Sequence, residues 1–254
     1  MPRFARRAFA ALSLAVVALA ASPEASAASQ MIAFTQGKIH VNAYLALTPG
    51  EGTHPAVIVI HEWWGLNDWV KDEASKLADQ GYVTLAVDLY RGKVADTPEL
   101  AHELMRGLPD DRAVRDLLAA SSYLRAQKNV KPDKIGAIGW CFGGGMSNTL
   151  ALNDPKLAAA VINYGHLATD KEALGKIHAS VLGIFGGKDR GIPVDDVKKY
   201  EATLKELGKS VQVVIYPEAG HAFENPNNKA GYRADDAADA WKKTVEFLAA
   251  KLKK

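Results

Sequence analysis

The sequence predicts an α/β domain built on a mostly parallel sheet with helices on both faces. Two observations predict it. Short runs rich in valine and isoleucine alternate with amphipathic helical patterns along the chain. Such alternation makes parallel strands joined by crossover helices. Reactive side chains also gather in the segments that follow those runs, where an open α/β sheet places its ligands.

The elements follow in order. Gly37 to Leu47 has the alternation of hairpin strands. Pro55 to Ile60 is a β-branched run, as expected for a strand covered on both faces. Asp68 to Gln80 has helical periodicity, and Gly81 supplies a C-terminal stop. Tyr82 to Leu89 is the next strand. Pro98 to Leu108, opened by proline, and Asp110 to Gln127 are helices. Lys134 to Trp140 is a strand leading into a helix over Gly143 to Leu152. Ala158 to Tyr164 and Val181 to Phe185 are strands. Val194 to Leu207 is a helix closed by Gly208, Val211 to Tyr216 is the last strand, and Ala234 to Leu252 is a closing amphipathic helix. No internal repeat, low-complexity tract or linker interrupts this order, so residues 28–254 are read as one domain.

Residues 1–27 read as an export signal. Arg3, Arg6 and Arg7 form a positive start, Ala8 to Ala21 is apolar, and Ala25-Ser26-Ala27 places small residues before a cut. The apolar run falls short of the ~18 residues that a membrane span needs. The expectation is a periplasmic or secreted protein with no membrane span once the signal is removed. Arg6-Arg7-Ala8-Phe9 also resembles a twin-arginine signal. The chain carries 31 basic and 29 acidic residues. Removing the three arginines and Glu24 of the signal leaves 28 of each. A neutral mature chain with no basic, aromatic-rich segment argues against nucleic acid as a partner. Hydrophobic residues at 48% and charged residues at 24% exclude a disordered or collagen-like chain.

Cys141 is the single cysteine, so no internal disulfide can form. It lies in Gly139-Trp140-Cys141-Phe142-Gly143, the G-x-S-x-G nucleophile elbow with cysteine in place of serine. The strand-to-helix turn is tight enough to require small flanking residues, and the helix N-terminus favours an anion at the sulfur. His221, after the last strand, is the candidate base. Asp189, after the preceding strand, is the candidate orienter of its imidazole. The order nucleophile, acid, histidine is that of α/β-hydrolases. Gly143-Gly144-Gly145 lacks the Gly-Lys-Ser/Thr ending of a phosphate loop and is assigned to close helix packing. No His, Asp and Glu set has metal-ligand spacing, so neither a metal nor a cofactor is expected.

Taken together, these residues resemble the dienelactone hydrolase family. The motifs are His61-Glu62 through Asn67, Asp88-Leu89-Tyr90, Gly139 to Gly144, Phe185-Gly-Gly-Lys-Asp189 and Glu218-Ala-Gly-His-Ala-Phe223. The resemblance spans the chain from about Gly37 to the last helix. It implies an α/β-hydrolase fold and a Cys141, His221 and Asp189 triad. It also implies an oxyanion hole formed by the backbone N–H groups of Phe142 and Trp63, and a role for Glu62 in gating the thiol. The family's dienelactone-cleaving members hold a substrate carboxylate with two arginines. The matching positions here are Asn225 and Pro98, which leaves Arg91 and Arg106 as substitutes out of position. Trp64, Arg91, Tyr164, Asn225 and His102 are the candidate pocket residues, with His166 a further one. The expected activity is hydrolysis of a small-molecule ester or lactone by a monomer, with neutral substrates preferred. A broad carboxylesterase and a non-catalytic, redox-sensing thiol protein stay open as alternatives.

Overall fold

The computed structural model describes Met1 and residues 28–254. The expected export signal therefore lies outside the described residues. Eight strands form one sheet in the order β1-β2-β4-β3-β5-β6-β7-β8. They are β1 (Ala28–Gln36), β2 (Ile39–Leu47), β3 (His54–Ile60), β4 (Val83–Asp88), β5 (Val130–Trp140), β6 (Ala159–Asn163), β7 (Ser180–Gly186) and β8 (Val211–Tyr216). The helices are α1 (Asp68–Asp79), α2 (Pro98–Arg106), α3 (Asp110–Arg125), α4 (Phe142–Asn153), α5 (Lys171–Gly175), α6 (Val194–Glu206) and α7 (Ala234–Leu252). The pairs β1–β2 and β2–β4 are antiparallel, and all others are parallel. This is the mostly parallel sheet that the alternation predicts.

Two segments depart from the sequence reading. Gly37 to Leu47 holds one strand rather than a hairpin, and its partner β1 precedes it. Gly37, at φ 63°, supplies the turn between them. Strand β1 was illegible because it is an edge strand whose side chains are largely exposed, with Phe34 alone buried. The short α5 was also missed. Its cap is local: the Asp170 side chain accepts from the Ala173 N–H, and five residues show no periodicity.

The inner parallel strands β3, β4, β6 and β7 bury both faces, which explains their apolar runs. Ala56, Ile58 and Ile60 of β3 share one core with Leu117 of α3, Leu150 of α4 and Val197 of α6. Val57 and Val59 belong to the other core, with Val70 and Leu77 of α1 and Leu248 of α7. Full burial of one such side chain contributes about 1.5–3 kcal/mol. These two cores fix the parallel strands in register, so their carboxyl ends open along one edge.

Candidate active site

The elbow between β5 and α4 sets the site. Cys141 has φ 54° and ψ −117°, a conformation that costs a non-glycine residue about 1–3 kcal/mol. The surroundings hold it there. The Cys141 N–H donates to the Asn163 carbonyl at 3.0 Å, and Asn163 Nδ2 donates to the Gly139 carbonyl at 3.1 Å. The glycines are steric requirements. A Cβ on Gly139 would lie 2.0 Å from the Gly143 oxygen, and one on Gly143 would lie 2.2 Å from the Ile60 oxygen. A Cβ on Gly144 would lie 2.5 Å from the Asn163 oxygen, so the packing assignment holds for Gly143 and Gly144; at Gly145 the nearest atom would be 3.4 Å away, an ordinary contact. Among the described residues, the non-glycine residues with positive φ are Arg91, Cys141, Tyr164 and Ala222. Each lies just beyond the end of a different strand, so the strain gathers along the edge that carries the site.

Three strand ends bring the triad candidates together. His221 Nδ1 meets Asp189 Oδ2 at 2.7 Å. The second Asp189 oxygen accepts from the N–H groups of Gly191 and Ile192 at 2.8 and 3.3 Å, which fixes the carboxylate. Burial works to raise the Asp189 carboxyl, yet the His221 contact and these amides hold it below the ordinary range. Burial likewise works to lower His221. Its bond to Asp189 and the nearness of Cys141 prevail and push it up to about 10. The imidazolium is therefore the favoured form beside the sulfur at neutral pH. Tyr164 packs edge-on against His221, with ring centroids 5.3 Å apart, and limits how the imidazole can turn.

Glu62 sits in the loop after β3 and is 2% exposed. Burial pushes its carboxyl up to about 7, against the opposing pull of Asn225 and His221. Asn225 Nδ2 donates to Glu62 Oε2 at 2.6 Å, while Asn225 Oδ1 accepts from the Asn227 N–H. Asn225 is thus held by the Glu62 carboxylate. Asn228 Nδ2 ties down the same loop by donating to the carbonyls of His221 and Ala222.

A cleft of about 1130 Å³ opens over these groups. Cys141, His221, Glu62, Phe142 and Trp63 all line it. Phe142 is the first residue of α4, where amide N–H groups have no acceptor within the helix. Four expected pocket residues, Trp64, Tyr164, Asn225 and His102, line the cleft, and so does His166. Trp63 stacks obliquely on Trp64 and edge-on with His102, both at 4.8 Å.

Arg91 corrects the sequence reading. It lies off the cleft and forms a two-pronged pair with buried Asp116 at 2.9 and 2.8 Å. A nearer, desolvated carboxylate claims the guanidinium, and its fork geometry suits that pairing. Arg106 is exposed on α2 and is also absent from the cleft wall. Among the described lining residues, Lys229 is the one lysine or arginine. It stands exposed at the rim and was missed because nothing marks it in a polar loop. No three His, Cys, Asp or Glu side chains among the described residues gather as a metal site.

Comparison with known proteins agrees with this geometry. The Dienelactone hydrolase family model matches residues 41–252. The chain belongs to that family. A Methylorubrum extorquens protein with the provisional name carboxymethylenebutenolidase is 32% identical over 222 residues, covering 82% of this chain and 76% of the relative. A Klebsiella pneumoniae structure, provisionally titled a dienelactone hydrolase, superposes with a TM-score of 0.80 at 29% identity. It covers 89% of this chain and 99% of that one. A metagenomic dienelactone hydrolase-like promiscuous phosphotriesterase gives a TM-score of 0.81 at 27% identity, again over 89% and 99%. The chain is a hydrolase of esters or lactones with the α/β-hydrolase fold of this family.

Proposed function

We propose that this family member cleaves neutral, largely apolar esters or lactones with Cys141 as nucleophile. The observation that carries the reading is His221, bound to Asp189 at 2.7 Å, lining one cleft with the elbow cysteine. The Cys141 thiolate attacks the carbonyl carbon and forms a C–S bond. The N–H groups of Phe142 and Trp63 receive the oxyanion. The C–O bond breaks, and the His221 imidazolium gives its proton to the departing alkoxide. A lactone would stay tethered through its acyl part at this stage. Water then attacks the thioester while neutral His221 takes its proton. The acid leaves, and Cys141 and His221 are free for the next turnover. Asp189 holds the imidazole tautomer throughout.

The neutral preference rests on the cleft wall. Asn225 is engaged with Glu62, Arg91 with Asp116, and Lys229 is solvent-exposed. A screened rim charge contributes little to binding an anion. Each missing charge-assisted contact is worth about 1.5–3 kcal/mol. A working monomer is part of the same reading. Export through the signal at residues 1–27 belongs to the same proposal.

The test is a panel of neutral esters, neutral lactones, dienelactone and one phosphotriester, read as kcat/KM. The neutral carboxylic substrates should lead. Cys141→Ala should lose several orders of magnitude in kcat, and Cys141→Ser should stay poor. Near wild-type turnover in Cys141→Ala would refute the nucleophile, and a leading rate on dienelactone would refute the neutral preference.

A further inference from the structure

His61 follows β3 directly and is wholly buried. The proposed mechanism uses its two neighbours in the chain, Glu62 and Trp63, and gives His61 no part. Both of its ring nitrogens are engaged. The Leu89 backbone N–H, just past the end of β4, donates to Nε2 at 3.3 Å. A backbone N–H can only donate, so Nε2 offers a lone pair and Nδ1 carries the ring proton. Nδ1 then donates to the Glu62 carbonyl at 2.5 Å. Burial holds the imidazole below its ordinary value, against the pull of that carbonyl and of the Asp88 carboxylate. The ring is therefore neutral at pH 7 and fixed in one tautomer.

The Glu62 carbonyl belongs to the same peptide group as the Trp63 N–H. That peptide is trans, and in a trans peptide the C=O and N–H point in opposite directions within one plane. The carbonyl also accepts from the Gly65 N–H at 3.2 Å, so two donors set its direction. Setting it aims the Trp63 N–H to the opposite side. That N–H donates to no acceptor among the described residues, and Trp63 lines the hydrolytic cleft. The His61 ring also lies 6.0 Å from the Phe142 ring, centre to centre, and meets Tyr90 edge-on at 4.7 Å. It thus adjoins both residues whose N–H groups receive the oxyanion in the proposed mechanism.

We infer that His61 is a positioning residue for the oxyanion hole: its Nδ1–H holds the Glu62–Trp63 peptide so that the Trp63 N–H faces the developing oxyanion. The inference rests on the cysteine-hydrolase reading above. Leu89 fixes the ring, and the ring fixes the peptide, which turns only as a unit. Being buried, His61 touches no substrate. Its effect falls on the transition state, because an oxyanion gains more from an aimed donor than a neutral carbonyl does.

Two variants separate the two ring bonds, read with a neutral p-nitrophenyl ester. His61→Gln places an amide where Nε2 stood and leaves nothing at Nδ1. It should lower kcat at least about tenfold and leave KM within about twofold. His61→Asn places an N–H donor where Nδ1 stood and should recover most of that loss. A trifluoromethyl ketone adds to the thiolate as an anionic hemithioketal, and it should bind His61→Gln at least about tenfold more weakly. Iodoacetamide alkylates the thiolate by forming a C–S bond and expelling iodide, with no oxyanion. Its rate should match wild type in both variants. In the wild-type chain, nitrogen NMR at pH 7 should show His61 neutral and protonated at Nδ1, a readout that needs no variant to fold. Unchanged kcat and ketone affinity in His61→Gln would overturn the inference. So would His61→Asn no better than His61→Gln, an alkylation rate that falls with kcat, or a proton on Nε2. Failure of the cysteine reading shows differently: alkylated wild-type enzyme would keep its turnover, and the inference would fall with that reading.

Discussion

Glu62→Gln should make the protein more stable, and the gain should depend on pH. The wild-type carboxyl titrates near 7 in the folded chain, against an ordinary value of 4.5. Below pH 4.5 it is protonated in both folded and unfolded states and contributes nothing to the difference. Between pH 4.5 and 7 the unfolded chain releases the proton while the folded chain keeps it, so stability falls as pH rises. Above pH 7 the full penalty is present. At about 1.4 kcal/mol per pH unit, the interval gives roughly 3 kcal/mol. Glutamine never ionises, and its Oε1 can still accept from Asn225 Nδ2. A chain of this size shifts Tm by about 2–4 °C per kcal/mol. The variant should therefore gain roughly 6–12 °C at pH 8 and nothing at pH 4. Reversible thermal unfolding followed by circular dichroism across that range measures it. A gain independent of pH, or a loss at pH 8, would refute the reasoning. The expected result would also mean that Glu62 is kept at a cost to stability, as a carboxylate beside a reacting thiol can be.

Three further outcomes follow from the geometry. Asp189→Asn should lower kcat by roughly 10²–10⁴ with little change in KM, because His221 loses the acceptor that sets its tautomer; steady-state kinetics decide it. Gly143→Ala should lower Tm and cost at least ~1–3 kcal/mol, since its Cβ would meet the Ile60 oxygen at 2.2 Å; a wild-type Tm would contradict the close approach. Arg91→Ala should destabilise by roughly 1–3 kcal/mol by leaving buried Asp116 short of a partner. Its KM for neutral and anionic substrates should stay at wild-type values, and a rise for anions alone would return Arg91 to the cleft.

Much of the molecule was legible before any coordinates. The buried parallel strands read as unbroken Val/Ile runs because both of their faces are covered. The elbow read from Gly139 and Gly143 around Cys141 because that turn tolerates no side chain at either position. His221 and Asp189 read from their place after strands, since an α/β sheet gathers those ends along one edge. Strand β1 did not read, because pairing on an edge leaves little periodicity to mark it.

The tertiary structure alone decided which partner each polar side chain takes. Arg91 was a plausible pocket cation by position, but Asp116, 25 residues further on, claims it. Asn225 counted as a lost arginine, but it is the donor to Glu62, 163 residues away. Backbone geometry and hydrophobic burial are written in local residue patterns. Hydrogen-bond partners and desolvation belong to groups distant along the chain, and only folding brings those together.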